Sequence, residues 1–288
     1  MKNMSKFIGI LFLVFVIFLV IVTIRNAKIS EYNQKHMIKN DDELLGVRFE
    51  VPRENKNPVR VNLYIPKDIT EKTPVIFNIH GGAFIAGDAD TLDSQSDRLS
   101  RELNVAVVNI NYTLAKDGYD MNFGVDEVKD TVIYFKEHAD EYNIDIDKFF
   151  MLGYSAGGYH AMNAVVALKK DNIDVRGQIL CYSFIGEIVT KYNELNEEQR
   201  KSIAPTLFVL ADKDPISDGS LKYEAVLKEN GISTKVKKFD TSKHGFIEEN
   251  NPEYENLKNI ISKSPEQEKL AREAEKYILN WINEIIGK

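Results

Sequence analysis

The chain has 288 residues, 43% of them hydrophobic and 28% charged, which are the proportions of a globular protein and exclude a disordered or fibrous one. A net charge of −7 without a basic stripe argues against a nucleic-acid partner. The single cysteine, Cys181, rules out an internal disulfide, and its apolar setting (Ile179-Leu180-Cys181-Tyr182) marks it as a small buried hydrophobe rather than a reactive thiol.

Residues 7–24 are almost unbroken apolar sequence, with Gly9 and Thr23 as weak exceptions. As a helix this run is roughly 27 Å long, close to a hydrocarbon core. Lys2 and Lys6 precede it, and Arg25 and Lys28 follow it. A cleaved secretory signal has a shorter apolar region and ends in small residues, whereas this run ends Val22-Thr23-Ile24-Arg25. The segment therefore reads as an N-terminal transmembrane anchor over residues 1–28. Lys2 and Lys6 put its start on the cytoplasmic side and the rest of the chain outside. Secretion after signal cleavage is the alternative. Residues 29–45 are polar and read as a stalk or short cap, and residues 46–288 read as a single folded domain.

From residue 46 onward, strand and helix patterns alternate. Val59, Val61, Leu63 and Ile65 alternate with polar partners, as in a strand with one wet face, and residues 47–51 can pair with them as a hairpin. Short runs rich in β-branched and aromatic residues follow at 74–79, 105–112, 149–152, 178–184, 206–210 and 234–239. Helical stretches separate them at about 91–103, 124–142, 156–169, 218–230 and 265–286. The last opens with Ser264-Pro265-Glu266-Gln267, an N-cap, a first-turn proline and a capping-box glutamine. Buried strands alternating with helices predict an α/β fold with a mostly parallel sheet of eight strands, covered on both faces.

Four features fall at strand ends in this pattern. Gly153-Tyr154-Ser155-Ala156-Gly157 follows the run 149–152 and opens a helix. A serine at such a turn is pushed above the sheet edge, and glycines leave room for the bend. His80-Gly81-Gly82-Ala83-Phe84 follows the run 74–79. Attack on an ester carbonyl builds negative charge that needs fixed donors, and Gly81, Gly82 and Ala156 are the natural N–H suppliers of an oxyanion hole. Ala211-Asp212-Lys213-Asp214-Pro215 follows the run 206–210. Asp212, Asp214 and Asp218 compete there for the role of imidazole partner, and Asp214 is chosen because the next proline fixes a turn. His244-Gly245-Phe246 follows the run 234–239. His244 alone among the five histidines follows an acid in a loop at a strand end. His36 lies in the stalk, His138 on a surface-like helix, His160 on the helix leaving the elbow, and His80 beside the glycines.

The order Ser155, Asp214, His244 resembles that of the α/β-hydrolase superfamily. More narrowly, the sequence resembles esterases related to hormone-sensitive lipase and small-acyl carbohydrate esterases, from about residue 59 to the carboxyl end. His80-Gly81-Gly82 matches that family's oxyanion motif, with Ala83 where many members have a third glycine. Asp214-Pro215 and His244-Gly245-Phe246 match its acid and histidine motifs. Asn111-Tyr112-Thr113-Leu114-Ala115 resembles its Tyr-Arg-Leu-Ala-Pro-Glu segment but lacks the arginine, proline and glutamate. The resemblance implies an α/β-hydrolase fold and hydrolysis of a small ester by a serine nucleophile, with no metal or organic cofactor.

Residues 186–204 leave room for one lid helix, which suits short acyl groups of the acetyl type. Phe84, Phe123, Tyr182 and Phe246 are candidates for the substrate pocket. A serine peptidase or amidase of the same fold, and a non-catalytic hydrolase-like binding protein, are the alternatives. The sequence does not fix the oligomeric state.

Overall fold

A computed structural model describes residues 38–287, except 68, 116, 117, 119, 258–260 and 262. The strands are β1 (Val47–Arg53), β2 (Lys56–Tyr64), β3 (Thr73–Ile79), β4 (Ala106–Asn111), β5 (Ile144–Tyr154), β6 (Gly177–Cys181), β7 (Thr206–Lys213) and β8 (Thr234–Lys243). They form one sheet in the order β1-β2-β4-β3-β5-β6-β7-β8. β1 and β2 are a hairpin, β2 runs antiparallel to β4, and every later pairing is parallel. This mixed, mostly parallel eight-stranded sheet with helices on both faces is the α/β-hydrolase fold.

The helices are α1 (Asp93–Leu103), α2 (Met121–Glu137), α3 (Ala156–Lys170), α4 (Ile188–Asn193), α5 (Glu197–Lys201), α6 (Pro215–Glu229) and α7 (Pro265–Ile286). Alternate residues of the central strands feed two cores, because side chains in a strand point to opposite faces in turn. Val75, Phe77 and Ile79 of β3 and Phe149 and Met151 of β5 join one core with α2 and α3. Ile76, Phe150, Leu152 and Tyr154 join the other with α1 and α7. β3 and β5 thus bury both faces, which is why they read as continuous apolar runs.

Several boundaries differ from the sequence reading. β5 starts at Ile144 rather than 149, since Ile144 pairs with Thr73 while Asp145 and Asp147 mask the strand pattern. α2 ends at Glu137, and the chain turns through Asn143 at φ 52° to enter β5. Residues 186–204 hold two short helices, α4 and α5, where one was expected. Asn196 divides them by capping α5, with its side chain accepting from Gln199 N–H. Ile188, Tyr192 and Leu195 are buried in the α2–α3 core, so the segment is docked on the body.

The residues just before β1 also pack on the body. Lys39 donates from its backbone N–H to Asp90 (2.8 Å) and from Nζ to Asp93 (2.7 Å). Arg48 reaches back to the Lys39 carbonyl (2.9 Å).

The apolar run 7–24 lies outside the described residues. Among the described residues no helix is long and apolar enough to cross a membrane. The longest of them, α7, has 22 residues but sets lysines, glutamates and Arg272 against the face that carries Ile278, Trp281 and Ile282. The expected transmembrane helix, the membrane as a partner, and the anchored, outward-facing localisation are corrected accordingly. Those expectations rest on the length of one apolar run, its ending and the lysines before it, and the described helices bury their apolar stripes against the sheet instead.

Trp281 is the largest side chain that α7 brings to its core. It is nearly buried, lies 6.5 Å from the Phe150 ring, and meets β6 where Gly177 has no side chain to obstruct it. Trp281→Ala is expected to lower unfolding free energy by about 3–5 kcal/mol, read as a reduced urea midpoint at unchanged slope.

Candidate active site

The sheet brings the expected residues to one edge. Ile79 pairs with Gly153, so the loop leaving β3 (His80-Gly81-Gly82) lies beside the turn leaving β5. Lys213 pairs with Lys243, so the residues that leave those two strands, Asp214 and His244, are neighbours. Chain segments far apart in sequence meet because parallel strands put all their carboxyl ends on one side.

Ser155 occupies the turn between β5 and α3 with φ 49° and ψ −113°, a left-handed conformation unusual for a residue with a side chain. The neighbouring glycines make the turn possible. A Cβ at Gly157 would lie 2.2 Å from the Ile79 carbonyl oxygen, and one at Gly153 would lie 2.5 Å from that of Gly157. Gly158 is equally confined, with Ser183 Oγ 1.8 Å from where its Cβ would be. The bend is held by Ser155 N–H donating to the Cys181 carbonyl (3.0 Å) and Phe184 N–H donating to the Ser155 carbonyl (3.2 Å).

His244 Nδ1 lies 2.7 Å from Asp214 Oδ2, and Nε2 lies 2.9 Å from Ser155 Oγ. An ionised carboxylate can only accept, so Nδ1 carries the proton and Nε2 is left to accept from the Ser155 hydroxyl. Asp214 is the N-cap of α6. Its Oδ1 accepts from Ile216 N–H (3.0 Å) while Oδ2 holds the imidazole, and Pro215 occupies the first turn of the helix. Of the competing acids, Asp212 pairs with Lys213 (2.9 Å) and Lys238 (3.5 Å), and Asp218 with Lys238 (3.4 Å). Burial alone would lower the imidazole pKa. The hydrogen bond and charge of Asp214, with Glu248 and Glu249, outweigh it and hold His244 above its ordinary 6.5.

Ala156 is the first residue of α3, so its N–H has no partner within the helix. Gly82 bends at φ 125°, where a Cβ would strike the Ala86 carbonyl oxygen at 1.9 Å. The Gly81 N–H is engaged: it donates to Glu248 Oε1 at 2.7 Å. Ala83, in place of a third glycine, still takes φ 53°.

The pocket candidates separate. Phe84 is half-buried and stacks edge-on against Tyr159 (5.4 Å) and Phe184 (5.9 Å). Phe184, three residues past the end of β6, is 39% exposed, and its N–H donates to the Ser155 carbonyl, which sets it beside the Ser155 turn. Tyr182 and Phe246 are fully buried and cannot line an open pocket. They pack behind the histidine instead, with Tyr182 5.2 Å from the His244 ring and 5.7 Å from Phe246. Phe123 lies under the Arg53 guanidinium, 5.6 Å away.

Sequence reasoning missed Phe184 and Glu248. The apolar run 178–184 reads Phe184 as a strand residue although β6 ends at Cys181, and nothing distinguishes Glu248 from its neighbour Glu249 until the fold buries it. His80 and His160 are buried structural histidines. His80 is buried, and its Nδ1 lies 2.6 Å from the Gly81 carbonyl oxygen; burial drops its pKa to about 4. Burial takes His160, on α3, to about 3. Burial likewise pushes the Cys181 thiol far up, so it is no nucleophile. The departure at Thr113 is explained as well: its N–H and hydroxyl both donate to the buried Glu127 (2.6 and 2.7 Å).

Residues 61–198, a little under half of the chain, match the family model BD-FAE. An acetyl esterase of Salmonella paratyphi B is 25% identical over 227 residues, covering 66% of this chain and 69% of that protein. Among solved structures, an esterase of Pyrobaculum calidifontis superposes with a TM-score of 0.69 at 21% identity, covering 92% of both chains. A bacterial heroin esterase superposes with a TM-score of 0.68 at 19% identity, covering 90% of this chain and 89% of that one. The structural likenesses speak for the fold, and the sequence relatives for the chemistry. The chain is an α/β-hydrolase-superfamily enzyme of the esterase and lipase kind, with the carboxylesterase class as its activity.

Proposed function

We propose that this enzyme hydrolyses short-chain, acetyl-type esters through an acyl-enzyme formed on Ser155, within the small-acyl branch that its motifs resemble. The observation that carries the reading is the row Ser155–His244–Asp214, linked at 2.9 and 2.7 Å beside a glycine loop. Ser155 Oγ attacks the acyl carbon while His244 Nε2 takes its proton. Asp214 keeps the imidazole in the required tautomer and stabilises the cation that forms. Negative charge on the carbonyl oxygen falls to the N–H groups of Gly82 and Ala156, since Gly81 is committed to Glu248. Collapse of the tetrahedral species expels the alcohol, which receives the proton from Nε2. Water then gives a proton to Nε2 and attacks the acyl carbon. Ser155 is released with its proton restored, and the product is the carboxylic acid.

Two features support a small acyl group. The segment between β6 and β7 adds only α4 and α5, both docked on the body, rather than a large cap. The relative from Salmonella is itself called an acetyl esterase.

The test is a p-nitrophenyl ester series from acetate to decanoate on the full-length chain, with peptide amides alongside. Turnover is expected to peak at acetate to butyrate and to be lost by at least about 10⁴-fold in Ser155→Ala. A folded Ser155→Ala protein that keeps its rate would remove Ser155 from the mechanism, and faster cleavage of amides than esters would make the enzyme a peptidase.

The pH dependence follows from the imidazole. His244 must be neutral to act as a base, and its pKa is raised, so kcat/KM falls as pH drops through a value above 6.5. A rate that stays flat from about pH 5 to 8 with chemistry limiting would speak against a histidine base.

A further inference from the structure

Glu248 lies in the short 3-10 turn Glu248–Asn250 that follows the His244 loop, and it is 5% exposed. Its Oε1 accepts from the Gly81 N–H at 2.7 Å, and its own N–H donates to the Tyr182 hydroxyl at 3.4 Å. Its Oε2 would be 2.7 Å from a Cβ on Gly81, so the carboxylate fills the space that a side chain there would take. On the other side of Gly81, the carbonyl oxygen lies 2.6 Å from His80 Nδ1 and 3.4 Å from the Tyr112 hydroxyl, which donates to it. Both peptide planes that meet at Gly81 are therefore pinned, one by Glu248 and one by His80 and Tyr112. Described peptides are all trans. In a trans plane the N–H points opposite to the carbonyl, so the Gly82 N–H is aimed away from His80 and Tyr112.

We propose that Glu248 is a positioning residue that ties the histidine loop to the oxyanion loop and fixes the direction of the Gly82 N–H. The proposal rests on the esterase reading above. It accounts for a buried carboxylate spent on a backbone amide beside the reacting groups, where an unpaired charge would be costly. Burial pushes this carboxyl up to about 7, against the opposing pull of the Gly81 N–H and His244. The titratable groups facing it are His244 and Glu249 on its own loop, Tyr182, Cys181 and Tyr154 at the sheet ends, Tyr112 after β4, and Tyr254 in the following turn.

The test compares Glu248→Ala and Glu248→Gln in the full-length chain, using p-nitrophenyl acetate and a short trifluoromethyl ketone that forms a hemiketal oxyanion. In Glu248→Ala, kcat and ketone affinity should both fall, by up to about 10²-fold, while KM stays within about twofold. Glu248→Gln keeps a carbonyl acceptor for the Gly81 N–H and should recover most of both. It also removes a negative charge beside His244, so its acidic limb should move to lower pH. Full kcat and unchanged ketone affinity in folded Glu248→Ala would overturn the proposal, as would a Glu248→Gln enzyme no better than Glu248→Ala. A wild-type chain inactive on all esters would instead be a failure of the esterase reading, so the two are separable.

Discussion

The backbone at Ser155 is the constraint around which the molecule is arranged. A residue with a side chain at φ 49° is strained, and it persists here because its surroundings leave no alternative. β5 delivers the chain at the sheet edge, α3 takes it away at once, and the Ile79 carbonyl lies so close to Gly157 that no larger residue fits. The return on that strain is geometric. The serine hydroxyl stands clear of the backbone, and the first N–H of a helix lies directly after it. Every other part of the site is placed by registers that converge on this turn.

Asp214 shows how fold and chemistry share one group. Its two oxygens divide the work, one capping α6 and the other fixing the His244 ring. The carboxylate is nearly buried, so its charge is poorly screened and its hydrogen bonds count for more than they would at the surface. Capping keeps the side chain in a single orientation, and the imidazole is thereby fixed too. Behind the ring, Tyr182 and Phe246 supply a rigid apolar backing, which is a different part from the pocket wall that sequence reasoning gave them.

The electrostatics of the site come from buried groups that balance one another. Burial disfavours the charged form of His244, and the acids around it restore that form. Burial disfavours the charged form of Glu248, and a backbone N–H and the imidazole partly restore it. A catalytic imidazole must gain and lose a proton in each cycle, and the acids around His244 favour the gain against the cost of burial.

Much of this was legible in the sequence. The eight strands, their alternation with helices, and the positions of Ser155, Asp214 and His244 at strand ends follow from local patterns, because apolar periodicity and turn residues act over a few neighbours. Asp214 could be chosen over Asp212 from the proline beside it, a local signal. The membrane expectation also came from a local pattern, the length of one apolar run, and no described helix bears it out. What only the tertiary structure decided depends on register and burial between distant segments. The pairing of Lys213 with Lys243 sets Asp214 against His244, and the packing of the His244 loop on β3 gives Gly81 its carboxylate partner. It also sends Tyr182 inward and leaves Phe184 half-exposed, although both follow the same strand. Sequence carries the chemistry of each residue and its local conformation. Which groups become neighbours, and which lose their water, is decided where separate strands and loops close on one another.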